Sequence, residues 1–152
     1  MTKHHFKTTT RWTGNLGSGT NSYREYSRDH EITSANKISQ IPGSSAKAYR
    51  GDESRYNPEE LLVASLSACH MLWFLHLCAD AKIVVTAYED EAEGTMRANA
   101  DGSGEFEEVV LHPRVQLADP ERSNDATALH ERAHAMCFIS RSVNFPVKCL
   151  PQ

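Results

Sequence analysis

Two of the four cysteines, Cys69 and Cys137, are candidates for thiol chemistry because each lies in a predicted helix. Cys69 lies in the middle of a long apolar segment, and Cys137 lies in a second segment whose apolar residues follow helical spacing. A pair of thiols on two rigid helices is suited to reversible disulfide chemistry. On spacing alone, a pair of unrelated buried cysteines remains an open interpretation. We expect the other two cysteines, Cys78 and Cys149, to be structural.

The segment around Cys69 carries a strong helix-start signal. Asn57 is a favoured N-cap, Pro58 suits the first turn, and Glu59 and Glu60 place negative charge at the positive end of the helix dipole. Residues 61–79 contain no formally charged side chain. Such a helix is either buried in a core or spans a membrane. Two serines and two histidines lie inside it, which favours a core helix covered by sheets.

Glu59 precedes Cys69 by ten residues. In a straight helix this separation corresponds to about 15 Å of rise and a rotation roughly 80° out of phase. Glu59 therefore either serves only the helix dipole or meets a cysteine of a second chain. Arg50 and Arg55 lie just before the helix. An arginine that reaches a cysteine lowers the thiol pKa, although a solvated loop explains either arginine equally well.

Residues 130–134 match the pattern H-E-x-x-H. On a helix this spacing places His130 and His134 on one face, where they could bind zinc while Glu131 acts as a general base. A zinc hydrolase also needs a third ligand and a cleft, which this chain can hardly accommodate. The alternative is a pair of solvent-facing histidines. His134 could also polarise the thiol of Cys137, three residues further on.

The remaining patterns predict an α+β fold with the element order β-β-β-α-β-β-α-β in a single domain, residues 1–152. The first helix follows Asn57. The second is expected at about 124–141. Strands are expected at 5–13, 22–26, 30–34, 83–99, 106–117 and 143–150, with a hairpin signal at 101–104.

Composition excludes several classes of protein. The chain of 152 residues is 39% hydrophobic and 24% charged, as expected of a soluble globular domain, and its formal charge of −4 does not suggest a nucleic-acid partner. The N-terminus lacks the apolar run of a signal peptide, so we expect a cytoplasmic protein with free, metal-bound or redox-active thiols, and no membrane partner.

Three blocks of residues resemble the family of osmotically inducible protein C and organic hydroperoxide resistance proteins (OsmC/Ohr). The first block is Asn-Pro-Glu-Glu-Leu-Leu at 57–62, followed by Ser-Ala-Cys at 67–69. The second is His-Ala-Met-Cys at 134–137, and the third is the tail at 143–147. The resemblance covers essentially the whole chain in element order.

The resemblance implies an OsmC-like fold, in which two central helices pack against antiparallel sheets in an intertwined homodimer. It also implies a thiol peroxidase. Cys69 would attack the peroxide and become a sulfenic acid, and Cys137 would resolve it as a disulfide. Glu59 and an arginine would activate the thiolate and hold an organic hydroperoxide. A dithiol of the lipoamide type would be the reductant, and no cofactor or metal is implied.

The chain differs from the family pattern at two points. The turn at 14–17 lacks the arginine that one branch of the family carries there. Arg50 lies nine residues before Glu59, close to the position of the arginine in the other branch. We therefore predict that Arg50 completes the site, with Arg24 and Arg28 as alternatives. Phe138 stands where many members have proline. These differences keep open a non-enzymatic member of the fold that binds a small apolar ligand. For the peroxidase, the apolar residues 71–74 could supply a pocket that favours fatty or aromatic peroxides over hydrogen peroxide, and the alternative is that they belong to the core.

Overall fold

The computed structural model describes all residues, 1–152, and consists of two compact units, 1–61 and 62–152. Two α-helices and eight strands form in the order β1 to β3, α1, β4 to β7, α2, β8. The expected α+β class is confirmed. The strands are Thr9–Trp12 (β1), His30–Thr33 (β2), Ile41–Gly43 (β3), Val85–Asp90 (β4), Glu93–Ala98 (β5), Gly104–Leu111 (β6), Pro113–Leu117 (β7) and Val147–Cys149 (β8), and the helices are Pro58–Asp80 (α1) and Ser123–Met136 (α2).

The first unit contains an antiparallel sheet in the order β1-β2-β3. The strand predicted at 22–26 is wrong, because this segment forms turns and bends. The guanidinium of Arg28 lies 4.2 Å from the ring centroid of Tyr23 and 4.1 Å from that of Tyr26. It also donates to the main-chain carbonyls of the same two tyrosines, so these carbonyls accept from a side chain rather than from a neighbouring strand.

The approach to α1 is fixed by local hydrogen bonds. The amide of Glu60 donates to Asn57 Oδ1 at 2.8 Å, and the amide of Asn57 donates to Glu60 Oε2 at 3.1 Å. This reciprocal arrangement is a capping box, which satisfies two amides that the helix would otherwise leave unpaired. The expected helix start at Asn57 is therefore confirmed.

Helix α1 contributes side chains to both buried apolar clusters of the second unit. Phe74, Leu77 and Cys78 pack with Ala126 and Ala133 of α2. Leu66 packs with Val109 and Leu111 of β6 in a second cluster. By length and composition α1 could also cross a membrane, but this is weak evidence because core helices of soluble proteins meet the same criterion.

The second unit holds two sheets, β4-β7 and β5-β6-β8, with β8 parallel to β6. The single strand predicted at 106–117 is divided into β6 and β7 at His112. The amide of His112 donates at 2.7 Å to Asp90 Oδ1, so this amide is not available to a neighbouring strand. The two strands consequently pair in different sheets, β6 with β5 and β7 with β4.

The second helix, α2, is shorter than predicted. It ends at Met136, and Cys137 has extended backbone angles, φ −67° and ψ 112°. A 3-10 turn at Ser140–Ser142 follows. The prediction that Cys137 lies in the middle of a helix is therefore wrong. Its place just beyond the helix end allows the amide of Ser140 to donate to the Cys137 sulfur at 3.4 Å.

Candidate functional site

The Cys69 thiol on α1 lies near enough to the Cys137 thiol, beyond the end of α2, to act on its pKa. All four cysteines are free thiols. Cys69 is half-buried, whereas Cys137 is only 1% exposed. The structure thus brings together the two cysteines that the sequence singled out, and it makes one of them more accessible than the other.

The surroundings of the two thiols set their reactivity. Burial raises the pKa of Cys137 to about 11, and the neighbouring Cys69 thiol adds to this shift, while the Ser140 amide opposes it. Burial likewise raises the pKa of Cys78, which lies in the core of the second unit. A thiol with a raised pKa is a poor nucleophile at neutral pH, because the thiolate is the attacking species. Cys137 is therefore the weaker candidate for the thiol that attacks a peroxide first.

Cys69 opens onto an apolar pocket of about 370 Å³. Leu72, Trp73, His76 and Phe138 line it with Cys69. The rings of Trp73 and Phe138 meet edge to face, with their centroids 5.8 Å apart. The predicted pocket at 71–74 is thus formed only in part, since Phe74 is fully buried in the core instead. Phe138, the residue that departs from the family pattern, supplies one wall.

Glu59 lies half-buried in the first turn of α1, where Glu60 rather than Glu59 closes the helix cap. Helix α1 is continuous from Pro58 to Asp80. A separation of ten residues along it corresponds to about 15 Å, so Glu59 does not reach Cys69 of the same helix. The role assigned to Glu59 by the family resemblance stays a prediction.

The candidate arginines lie in the first unit and have different surroundings there. Arg50 is exposed, and its backbone is left-handed, with φ 65°. Arg24 is also exposed, whereas Arg28 is occupied by the two tyrosine rings. Arg55 forms an ion pair with Glu31 at 3.1 Å. Of these four arginines, Arg50 and Arg24 have guanidinium groups without a partner, and the choice of Arg50 stays a prediction.

The two histidines of the H-E-x-x-H pattern, His130 and His134, have different partners. His130 is 4% exposed, and its Nδ1 lies 2.9 Å from His70 Nε2 on α1. The Nδ1 atom of His134 instead lies 3.5 Å from Ser140 Oγ, and Glu131 is exposed. The expectation of a solvent-facing histidine pair is wrong for His130, because the helix turns its ring towards the core.

A second cluster was missed by sequence reasoning. His70, His130 and Cys149 come from α1, α2 and β8, and their ligand atoms all lie within 4.8 Å of one another. Burial lowers the pKa of His70 and of His130 to about 4 and raises that of Cys149 to about 12. No sequence signal was available, because 60 and 79 residues separate His70 from the other two members.

Comparisons with known proteins agree with this architecture. The family model described as OsmC-like protein matches residues 51–149. An OsmC-like protein of unknown function from Vibrio cholerae O1 biovar eltor is 30% identical, with 100% of both chains covered and a TM-score of 0.86. A comparison with curated proteins gave no match.

Two solved structures with organic hydroperoxide resistance in their names share the fold at lower identity. The protein from Legionella pneumophila is 20% identical, covers 99% of each chain and has a TM-score of 0.71. The OhrB protein of Bacillus subtilis is 21% identical, covers 96% of each chain and has a TM-score of 0.65.

Proposed function

Because the chain belongs to the OsmC-like protein family, we propose that it is a thiol peroxidase that reduces organic hydroperoxides with Cys69 and Cys137. The observation that carries the proposal is the proximity of these two thiols, of which Cys69 lines an apolar pocket. Structural similarity to proteins named for organic hydroperoxide resistance supports the same class of substrate.

The proposed reaction begins with the Cys69 thiolate, which attacks the terminal peroxide oxygen. The O–O bond breaks, Cys69 becomes a sulfenic acid, and the alkoxide leaves as the alcohol after taking a proton. The Cys137 sulfur then attacks the Cys69 sulfur and forms a disulfide, with loss of water. An external dithiol reduces this disulfide by thiol–disulfide exchange and is itself oxidised to a cyclic disulfide.

The difference between the two thiols supports this division of roles. Cys69 faces the pocket, where a hydroperoxide can approach it. Cys137 is buried with a raised pKa, so at neutral pH it remains a thiol until a sulfenic acid forms beside it. The apolar walls formed by Leu72, Trp73 and Phe138 favour an alkyl or aryl hydroperoxide over hydrogen peroxide.

We further propose a homodimer. Leu72 is 63% exposed and Phe138 is 66% exposed, although both line the pocket of the candidate nucleophile. A second copy that covers these side chains would remove apolar surface from water. It would also allow Glu59 and Arg50 of that copy to reach the Cys69 thiol, which Glu59 of the same helix cannot do.

We propose a cytoplasmic location, because free thiols fit a reducing compartment.

The decisive experiment measures consumption of cumene hydroperoxide by purified protein with dihydrolipoamide as the reductant. The wild type should turn over, and Cys69→Ser should reduce turnover to the uncatalysed background. Cys78→Ala is the matched control, because this cysteine lies on the same helix but is buried in the core. An equal loss in both variants would point to destabilisation, and a wild type without turnover would contradict the peroxidase.

Mass spectrometry after one equivalent of cumene hydroperoxide tests the second step. The wild type should contain a Cys69–Cys137 disulfide within one chain. Cys137→Ser should instead accumulate sulfenic and then sulfinic acid on Cys69, because no neighbouring thiol stops the over-oxidation.

The role of Arg50 is tested by the rate of the first step. Arg50→Ala should slow this step roughly 10- to 150-fold, which corresponds to loss of a charge-assisted contact of about 1.5–3 kcal/mol.

The pocket also supports a second candidate function, binding of a small apolar ligand without turnover. Trp73 lines the pocket, so its fluorescence should change when such a ligand enters. Ligand binding in a protein that fails to consume hydroperoxides would favour this function over the peroxidase.

A further inference from the structure

The strongest unassigned feature is the buried cluster of His70, His130 and Cys149. His70 Nε2 lies 2.9 Å from His130 Nδ1. The Cys149 sulfur lies 3.5 Å from the first nitrogen and 3.8 Å from the second. These three atoms form a small triangle whose members come from α1, α2 and β8.

The dimensions of the triangle match a metal site. In a tetrahedral zinc site, bonds of about 2.0–2.1 Å to nitrogen and about 2.3 Å to sulfur place two nitrogens about 3.3 Å apart and a nitrogen and a sulfur about 3.6 Å apart. The two observed nitrogen–sulfur distances, 3.5 and 3.8 Å, lie on either side of the nitrogen–sulfur separation expected in a zinc site. The two imidazoles are parallel to within 2° and direct their nitrogens at each other, so to bind one ion they must separate by about 0.4 Å and tilt until both lone pairs face it.

The cluster lies in surroundings that are unusual for polar side chains. His70 is 1% exposed and His130 is 4% exposed. The Nδ1 atom of His70 and the hydroxyl of Tyr88 are both buried without a hydrogen-bond partner. The ring of Phe74 stacks on that of His130, with centroids 4.0 Å apart, and holds the imidazole in place. The facing nitrogens of His70 and His130 have only each other and the Cys149 sulfur as hydrogen-bond partners, and buried groups of this kind are commonly paired or coordinate a metal.

Charge and access also suit a cation. Asp90 lies near enough to act electrostatically on both His70 and Cys149, and His134 acts on His70 in the opposite direction. Its carboxylate accepts hydrogen bonds from Ser67 Oγ and from the amide of His112, which fix its position. One divalent ion, one thiolate and this carboxylate together are neutral. His130 also lines a cavity of about 560 Å³, which offers an entry path.

From this geometry we propose that His70, His130 and Cys149 bind one Zn²⁺ ion and thereby join α1, α2 and β8. Two imidazoles and one thiolate are ligands that zinc prefers, whereas Mg²⁺ and Ca²⁺ require oxygen ligands. Binding releases the thiol proton of Cys149. The proton shared between the imidazoles moves to the far nitrogen of its own ring, so both rings remain neutral. The site is separate from the proposed peroxidase thiols and does not depend on their activity.

The experiment uses the full chain, freed of metal by a chelator, dialysed, and kept reduced with a phosphine. Titration with Zn²⁺ against a chromogenic chelator should give about one ion per chain, and the ion should raise the melting temperature. Titration with Co²⁺ as a spectroscopic probe should give a thiolate-to-cobalt charge-transfer band together with the intense visible bands of a tetrahedral site.

Variants assign the ligands. Cys149→Ser should abolish the charge-transfer band and weaken Zn²⁺ binding at least about 100-fold, since losing a ligand costs more than losing an outer partner. His130→Gln should weaken binding similarly. Cys69→Ser is the matched control and should keep both the band and the affinity, because Cys69 is outside the cluster.

Circular dichroism of the metal-free variants separates loss of a ligand from loss of the fold. The proposal is overturned if the wild type binds Zn²⁺ no more tightly than Cys149→Ser does. It is also overturned if Cys69→Ser, rather than Cys149→Ser, removes the band, because the ion would then bind the peroxidase thiols.

Discussion

The raised pKa of Cys137 leads to a quantitative prediction about thiol reactivity. Burial moves this pKa from an ordinary value of 9.0 to about 11. At pH 8 a thiol of pKa 9 is about one-tenth thiolate and a thiol of pKa 11 about one-thousandth, a ratio of roughly 100. Cys137 in the folded, reduced protein should therefore react with iodoacetamide at least about 100-fold more slowly than in the unfolded chain.

The assay is timed alkylation between pH 7 and pH 10.5, followed by peptide mapping with mass spectrometry. Cys69, which opens onto the pocket, should be labelled first at neutral pH. The labelling rate of Cys137 should rise about tenfold per pH unit up to pH 10 and beyond. Restricted access alone would lower the rate without changing the inflection, so the shape of the curve separates the two causes.

Two outcomes would refute this reasoning. One is a Cys137 labelling curve that levels off near pH 9, the ordinary value for a thiol. The other is labelling of Cys137 before Cys69 at neutral pH. A variant refines the test, because Cys69→Ala removes a smaller contribution to the raised pKa while burial remains. Its labelling rate at pH 10 should therefore rise only slightly.

Three further predictions concern stability and specificity. The pKa values of His70 and His130 in the fold, about 4, lie below the ordinary 6.5, so metal-free protein should keep full stability above pH 6.5 and lose it as the pH falls towards 4. By pH 5 the loss in unfolding free energy should be about 2–4 kcal/mol for the pair, measured by urea denaturation, and a flat profile would contradict the burial argument. Phe138→Ala should raise the KM for cumene hydroperoxide severalfold and leave that for hydrogen peroxide unchanged, because it removes one apolar wall of the pocket; steady-state kinetics showing equal changes would exclude a role in specificity. Asn57→Ala should lower the unfolding free energy by about 1 kcal/mol, because Asn57 Oδ1 accepts from the Glu60 amide, while Asn57→Ser should restore most of the stability in the same denaturation assay.

Local sequence patterns predicted the central helix well but predicted the later elements less accurately. Asn57 and Glu60 are three residues apart and form the capping box directly, so no distant residue is needed to start α1. The end of α2 could not be read in the same way, since apolar spacing continues beyond Met136 while the backbone turns at Cys137. Similarly, the break between β6 and β7 depends on Asp90, which lies 22 residues before His112.

The sequence by itself determined the α+β class, the start of α1 and the identity of the candidate thiols, because capping and apolar periodicity act over a few neighbouring residues. Only the tertiary structure decided that Cys137 lies near Cys69, that Phe138 rather than Phe74 lines the pocket, and that His130 contacts His70. These contacts join residues far apart in the chain. They are set by how α1, α2 and the sheets of the second unit bury their apolar side chains together, which no short segment encodes.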